Sequence, residues 1–490
     1  MTQNKLPSKK TKIVCTIGPV SESQSILEEL IAAGMNIARL NFAHGDFESH
    51  THVIKNIRAA ASSTGRPVTI MGDLPGPKIR IGRIRNKSAV LEKSQPFSLY
   101  TEEVIGDKAG ASMSFAGLPD AVNPGDIICV RDGYIELMVE EVTKNQVICR
   151  VMAGGEIRSN NGVNFPGVDL GIDAFTDNDR AFLEFAAEQE LDAVSQSFVQ
   201  RSSDITAVRV AARELDYFPF IIAKIERARA VENLDDILAE ADGIMVARGD
   251  LGVEIPIEEI AIVQKRIIEK VRLQGKPVIT ATQMLESMIT HPRPTRAEAT
   301  DVANAILDGT DCVMLSGETA MGNYPVEAVD VMSRIARVTE PIIKPLDVAE
   351  VLEAAKSRNV SDRDRLLSIS IFLSVEAVAP VAVVTPTLSG DTARLLTRFR
   401  LPVWIFASSP NRSTCQQLQF SYGVYPFYSE TRPKIWAQFA RNLLVQRGID
   451  RGVAILTYGT GTISEQTTTR IEFLDLEATP VDTPTWLPTK

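Results

Sequence analysis

The chain has 490 residues, 44% hydrophobic and 23% charged, with a formal net charge of −10. That length exceeds one ordinary core and predicts roughly two to four domains, one of which could be a large barrel. The acidic balance, with a pI near 5.2, opposes non-specific nucleic-acid binding, which needs a cationic face to displace counterions. No apolar run approaches the roughly 20 residues of a membrane span.

Residues 1–11 read as a polar, lysine-rich tail with no apolar signal core behind it, so a cytoplasmic location is the expectation. Five cysteines, Cys15, Cys129, Cys149, Cys312 and Cys415, lack the close pairing of a zinc site or a disulfide framework. They read as core thiols. Four histidines leave little scope for imidazole as the central proton carrier.

From Lys12 onward, short apolar runs alternate with amphipathic stretches: a strand over 12–17, a helix over 23–33, a strand over 35–41, a helix over 46–63 and a strand over 68–71. Such alternation predicts a parallel sheet or barrel. Between 77 and 171 the texture changes to short strands broken by Gly, Pro, Asn and Asp, as over 126–133 and 146–151, which predicts an inserted all-β domain. Strands then resume near 193–195, 220–225, 243–246, 277–280 and 312–315. Five added to the earlier three gives eight, the count of a (β/α)8 TIM barrel built from 12–76 and 172–343, whose functional loops lie at the strand C-terminal ends. Residues 344–490 read as a C-terminal open-sheet α/β domain, with strands over 381–384, 402–407 and 453–457. Its loops carrying Thr387, Ser389, Gly390 and Thr392, and 459–462, are rich in hydroxyl and small residues and suit a second ligand pocket.

On the barrel reading the notable charges fall at strand ends. The run 243–246 leads into Arg248-Gly249-Asp250-Leu251-Gly252, a carboxylate in a loop whose glycines let a ligand approach peptide N–H groups. Gly-Asp after a strand is also ordinary turn chemistry. Lys224 and Glu226 lie two apart and so share one strand face. They form either a buried structural ion pair or a site in which Glu226 and Asp250 hold one divalent cation, Mg²⁺ or Mn²⁺, while Lys224 meets a phosphoryl group. Arg39 and Asn41 share a face too, and an arginine inside an apolar strand suits bidentate phosphate binding. The stiff loop 72–80 adds Asp73, Lys78 and Arg80. The segments 280–286 and 315–319 place Thr282 and Ser316 at strand ends, where hydroxyls bind ligands or simply cap helices.

Together these motifs resemble the pyruvate kinase family. The resemblance runs from about Lys12 to the C-terminus and rests on Cys15-Thr16-Ile17-Gly18-Pro19, Arg39-Leu40-Asn41-Phe42-Ala43-His44-Gly45, the 73–80 run, Ala223-Lys224-Ile225-Glu226, 245–254, 279–288, Pro292-Arg293-Pro294-Thr295-Arg296-Ala297-Glu298 and 314–320, in the family's order. It implies that the insertion is a lid and the C-terminal domain regulatory. The implied reaction is phosphoryl transfer from phosphoenolpyruvate to ADP, giving ATP and pyruvate in the last step of glycolysis, in an enzyme that is usually a homotetramer. It implies Arg39 and Lys224 on the phosphoryl group, Glu226 and Asp250 on Mg²⁺, and Gly249, Asp250, Thr282 and Ser197 on the substrate. Thr282, Ser316 and Glu318 would lie on the proton path to the enolate, Pro19, Asn41, His44 and Arg80 near the nucleotide, and Asp132 in the lid.

Four positions depart from the family pattern. Potassium-dependent members bind the ion through an Asn, a Ser, an Asp and a backbone carbonyl; here Asn41, Asp73 and Leu74 remain, but Ala43 replaces the serine and Lys78 replaces a glutamate. Activity without K⁺ is therefore expected. Asn161 stands where relatives carry a phosphate-contacting lysine, and Asp391 where many carry an arginine, which leaves the allosteric effector unidentified. Two rivals share some of these residues: a barrel lyase or aldolase working through a metal enolate, which explains neither the insertion nor Lys78 and Arg80, and a non-enzymatic metabolite sensor, which leaves the charges at the barrel mouth without a role.

Overall fold

In the computed structural model, residues 6–355, 362–460 and 468–478 are described. Eight parallel strands close into a barrel: β1 Lys12–Thr16, β2 Ile37–Asn41, β3 Thr69–Leu74, β4 Ala193–Gln196, β5 Phe220–Ile225, β6 Gly243–Ala247, β7 Val278–Ala281 and β8 Cys312–Leu315, with β8 pairing back onto β1. Strand alternation sorts the side chains. Ile13, Cys15, Ala38, Ile221 and Ala223 face the helical layer, whereas Val14, Ile37, Met71, Ile222, Met245 and Ile279 fill the barrel interior. Following that interior set two residues upward along the strands leads to Thr16, Arg39, Asp73 and Lys224, so the same periodicity that packs the core points the polar groups into the mouth.

Local signals set the helix ends. Ser23 caps Gln24–Ala33, which stops at Gly34 with φ of 128°, and Asp46, Thr176 and Thr295 each open a helix with a capping box. The insertion after β3 has its own core around Phe97, Leu99, Ile128 and Phe165. It contains a six-stranded sheet and a separate two-stranded one. It is mostly β rather than all β: Leu118–Ala121 forms one helical turn.

The C-terminal sheet runs in the order Val424–Tyr428, Trp404–Ser409, Ala382–Pro386, Val453–Thr460, Thr468–Asp475, the last strand antiparallel to its neighbour. The first and last of these five are not evident from hydrophobic runs, because Val424–Tyr428 is interrupted by a proline and Thr468–Asp475 is a polar edge. This domain closes the lower end of the barrel. Phe420 joins the interior cluster and stacks on Phe220, with centroids 5.4 Å apart. Among the described residues no helix is long and apolar enough to cross a membrane.

Candidate active site

The upper end of the barrel holds a connected set of buried charges. Arg39 donates to Asp73 from Nε (3.1 Å) and Nη2 (2.5 Å), and to Thr16 Oγ1 from Nη1 (2.8 Å). The other Asp73 oxygen accepts from Ser195 Oγ at 2.5 Å and lies 3.5 Å from Lys224 Nζ. Lys224 donates to Ser197 Oγ at 2.6 Å and sits 3.5 Å from Glu226 Oε2. Burial alone would raise the Asp73 carboxyl, but the cations of Arg39 and Lys224 hold it at about 2. Burial would likewise depress the Lys224 ammonium, and Asp73 and Glu226 outweigh it, so the amine stays charged.

Glu226 differs from Asp73 in what it lacks. Its Oε1 accepts from the Phe198 N–H at 2.5 Å, while its Oε2 is buried with no hydrogen-bond donor. Burial, opposed by Lys224 and reinforced by Asp250, raises its carboxyl above the ordinary range. A buried carboxylate with a free lone pair and a second carboxylate nearby fits a divalent cation, which would supply the missing contact and relieve the repulsion. Among the described residues no group of three or more Asp, Glu, His or Cys is arranged to hold a metal ion. Glu226 and Asp250 would therefore be the protein's share of the coordination, with water and substrate oxygens as the rest.

The segment expected as a loop after β6 is a short helix, Arg248–Glu254, with no side-chain cap at its N-terminus. Its first-turn N–H groups therefore look to neighbouring side chains or to an anion for acceptors. The Gly249 N–H donates to Thr282 Oγ1 at 2.7 Å. Arg248 works as a structural clamp. Its guanidinium donates to the carbonyls of Ala281 (3.2 Å) and Thr282 (2.7 Å) and pairs with Asp301 at 2.7 Å. That clamp supports Thr282 and Gln283 at φ of 67° and 53°, conformations that cost about 1–3 kcal/mol each for non-glycine residues.

Glu318, only 2% exposed, accepts from the Leu285 N–H (3.0 Å) and the Ser316 N–H (2.7 Å), tying together the loops after β7 and β8. Its oxygens are engaged with backbone, so its visible work is to place Ser316 and the Thr282 loop. At the rim, Pro19 is exposed, and His44 lies within electrostatic reach of Lys78, Arg80 and Arg39; burial and then these cations lower its pKa. Arg80 donates to the Asn160 carbonyl at 3.0 Å. Asn161 closes a lid turn, its Oδ1 accepting from the Arg158 N–H at 2.6 Å. Asp132 and Arg131 adopt left-handed φ of 54° and 56° in the turn between two lid strands.

Asn41 Oδ1 accepts from the Ala43 N–H at 3.2 Å, and Asp73, with Leu74 after it, closes β3. Lys78 is exposed, and no ion pair joins it to Asp73. In the C-terminal domain, Ser389 Oγ donates to Asp391 at 2.6 Å, Gly390 N–H to Thr387 Oγ1 at 2.9 Å, and Arg394 to Asp391 at 3.1 Å, with Thr392 one residue beyond. Of the stretch 459–462 expected as a loop, Gly459 and Thr460 instead end the strand Val453–Thr460, paired with Thr469 and Thr468, and residues 461 and 462 lie outside the described residues.

Several participants carry no charge signal at a strand end. Thr16, Ser195 and Phe198 act through a hydroxyl or a backbone N–H, which sequence does not mark, although alternation from Val14 and Ala193 places the first two inward. Arg227 and Glu254, buried and paired at 3.0 Å, sit beside Glu226 and at the end of the Asp250 helix, and nothing local marks them as partners.

Comparison with known proteins places the chain among relatives. Residues 8–329 match the pyruvate kinase barrel domain, and residues 367–471 match the pyruvate kinase alpha/beta domain. A pyruvate kinase of Thermococcus litoralis is 47% identical over 425 residues, covering 86% of this chain and 89% of the relative. One from Bacillus licheniformis is 42% identical over 472 residues, covering 94% and 80%. The crystal structure of a pyruvate kinase from Cryptosporidium parvum superposes with a TM-score of 0.87 at 37% identity, covering 95% of this chain and 96% of that one. With both domain types matched in order and a relative this similar over most of its length, the chain belongs to the pyruvate kinase family.

Proposed function

We propose that this enzyme transfers the phosphoryl group of phosphoenolpyruvate to ADP, forming ATP and pyruvate at the end of glycolysis in the cytoplasm, as a homotetramer requiring Mg²⁺ or Mn²⁺. One observation carries the reading: Lys224 and Arg39 converge on Asp73 beside a buried Glu226 oxygen that no donor satisfies. Phosphoryl transfer asks a protein for positioning and charge neutralisation more than for covalent help. Glu226 and Asp250 would hold the divalent ion, which would supply positive charge beside the transferring phosphoryl group; a second would accompany the nucleotide.

Arg39 and Lys224 would bind the phosphoryl oxygens, with Lys224 stabilising charge during transfer. The substrate carboxylate would meet the Gly249 and Asp250 N–H groups and the Thr282 hydroxyl, taking over the donor that Thr282 now engages. Ser197, bonded to Lys224, would fix the ammonium's direction. Thr282 and Ser316 would carry the proton path to the enolate, with Glu318 holding their loops. Pro19, Asn41, His44 and Arg80 would border the nucleotide, and closure of the lid over them would exclude water and suppress hydrolysis.

Potassium is not required on this reading. Both Asp73 oxygens already meet cations, Arg39 on one and Lys224 with Ser195 on the other, and Ala43 removes a hydroxyl ligand beside Asn41. Lys78, exposed at the loop, would bring its ammonium toward Asn41 and the Leu74 carbonyl when substrate binds. An effector at Thr387, Ser389, Gly390 and Thr392 would have to displace Asp391, which already occupies the Ser389 hydroxyl. A coupled assay varying ADP, Mg²⁺ and K⁺ separately tests these statements. Pyruvate should form only with ADP and a divalent ion, and exchange of Na⁺ for K⁺ should leave the rate nearly unchanged. Pyruvate formed without ADP would indicate a lyase, and a large gain with K⁺ would defeat the potassium claim.

A further inference from the structure

Arg227 and Glu254 form an ion pair at 3.0 Å, with the two residues 5% and 7% exposed, and no step above uses either. Their neighbours give the pair a position. Arg227 directly follows Glu226, and Glu254 ends the seven-residue helix whose first turn carries Gly249 and Asp250. The Arg227 guanidinium also lies 5.1 Å from the ring centre of Phe198, whose N–H donates to Glu226 Oε1. Phe198 adopts φ of 60° and packs so closely on Gly76 that a Cβ there would approach its ring to 2.9 Å. A chain of contacts therefore runs from Glu226 through Phe198 to Arg227, on to Glu254, and back along the helix to Asp250.

From this geometry we propose that the Arg227–Glu254 pair is a positioning brace that sets the separation of the Glu226 and Asp250 carboxylates and so the affinity of the site for a divalent cation. The proposal rests on the reading of those two carboxylates as ligands. Two unbraced loops could spread to relieve carboxylate repulsion before the cation arrives, and closing them again would weaken binding. The brace holds them close in the empty state. The lid meets the same helix: strand Val163–Asn164 packs against it, and a Cβ on Gly133 would stand 3.7 Å from Val253. The brace thus also stiffens the surface on which the lid rests.

Mn²⁺ titration of the substrate-free enzyme, with free ion followed by electron paramagnetic resonance, tests this without recourse to activity. The variants are Glu254→Gln, Arg227→Met, the apolar double Arg227→Met/Glu254→Met, Arg227→Lys and Asp250→Ala, each with its thermal midpoint measured. The apolar double removes the buried charges together, which often preserves folding where a single change does not. Asp250→Ala should abolish the strongest Mn²⁺ site. Folded Glu254→Gln and the apolar double should bind about tenfold or more weakly, and Arg227→Lys should recover much of the loss. If Asp250→Ala abolishes binding while the folded brace variants bind like the parent, the pair is merely structural and the brace is overturned. If Asp250→Ala binds like the parent, the carboxylate reading and the brace fall together.

Discussion

Arg39–Asp73 at the upper end of the barrel and Arg400–Asp311 at the lower end are both buried guanidinium–carboxylate pairs, but their surroundings differ. Asp311 is saturated: one oxygen accepts from Arg400 Nη1 (3.1 Å) and the Tyr422 N–H (2.9 Å), the other from Arg400 Nη2 (2.9 Å) and the Val278 N–H (3.1 Å). Every donor is protein, and the donors come from both the barrel and the C-terminal domain. The upper pair instead opens onto Lys224 and a Glu226 oxygen without a donor. Arg400 Nε is buried without a partner, so it is the carboxylate and not the whole lower network that is filled. A carboxylate filled by donors from two domains fixes them together, whereas one left incomplete in the protein can be completed by a ligand.

The contrast can be broken from either side. Asp311→Ala leaves Arg400 buried without its charge partner and should cost about 3–5 kcal/mol, read as a lowered denaturation midpoint, while activity per folded molecule persists. A variant with normal stability would show that saturation does not mark structural work. Lys224→Met should do the reverse, lowering kcat by about 10²–10³-fold with a far smaller change in midpoint. Equal kcat would remove Lys224 from the chemistry. A smaller effect is expected from Arg248→Lys, which keeps the charge toward Asp301 but cannot serve both carbonyls of the strained Thr282 turn; KM for phosphoenolpyruvate should rise more than kcat falls. An unchanged KM would show that the turn holds itself.

The barrel was legible because its strands are buried on both sides and written as continuous apolar runs, and its mouth because alternation projects Lys224 and Glu226 together. The expectation of a loop at 248–254 missed a helix, since two glycines in seven residues argue locally against one and only packing of Leu251 and Glu254 decides it. The strands Val424–Tyr428 and Thr468–Asp475 were hidden by a proline and by polar edge residues. Pairings such as Arg227–Glu254 and Arg400–Asp311 join positions far apart in the chain. No local pattern encodes which charge meets which.

The lower end also contains an exception that sharpens the rule. Lys9 and Lys12 are buried there, bonded to neutral oxygens: Lys9 to the Thr11 carbonyl (2.9 Å) and Asn36 Oδ1 (3.1 Å), Lys12 to the Val424 carbonyl (2.7 Å). Their hydrogen bonds are made, but no carboxylate lies within ion-pair distance among the described residues. Burial lowers Lys9 to about 8, and burial with the repulsion of Lys9 lowers Lys12 to about 7, both from 10.5. In the unfolded chain these amines hold their protons up to about 10.5, so between about pH 7 and 10 the unfolded state binds more protons than the folded one. Stability contributed by these groups therefore rises with pH across that window, opposite to what a lysine gaining a carboxylate partner would give. The thermal midpoint of the parent should climb from pH 7 to 9, and Lys12→Met should flatten the climb while leaving kcat at pH 7.5 little changed. Identical slopes in the two proteins would mean that Lys12 keeps its proton at the ordinary cost, and that hydrogen bonding to carbonyl oxygens alone suffices to hold a buried cation.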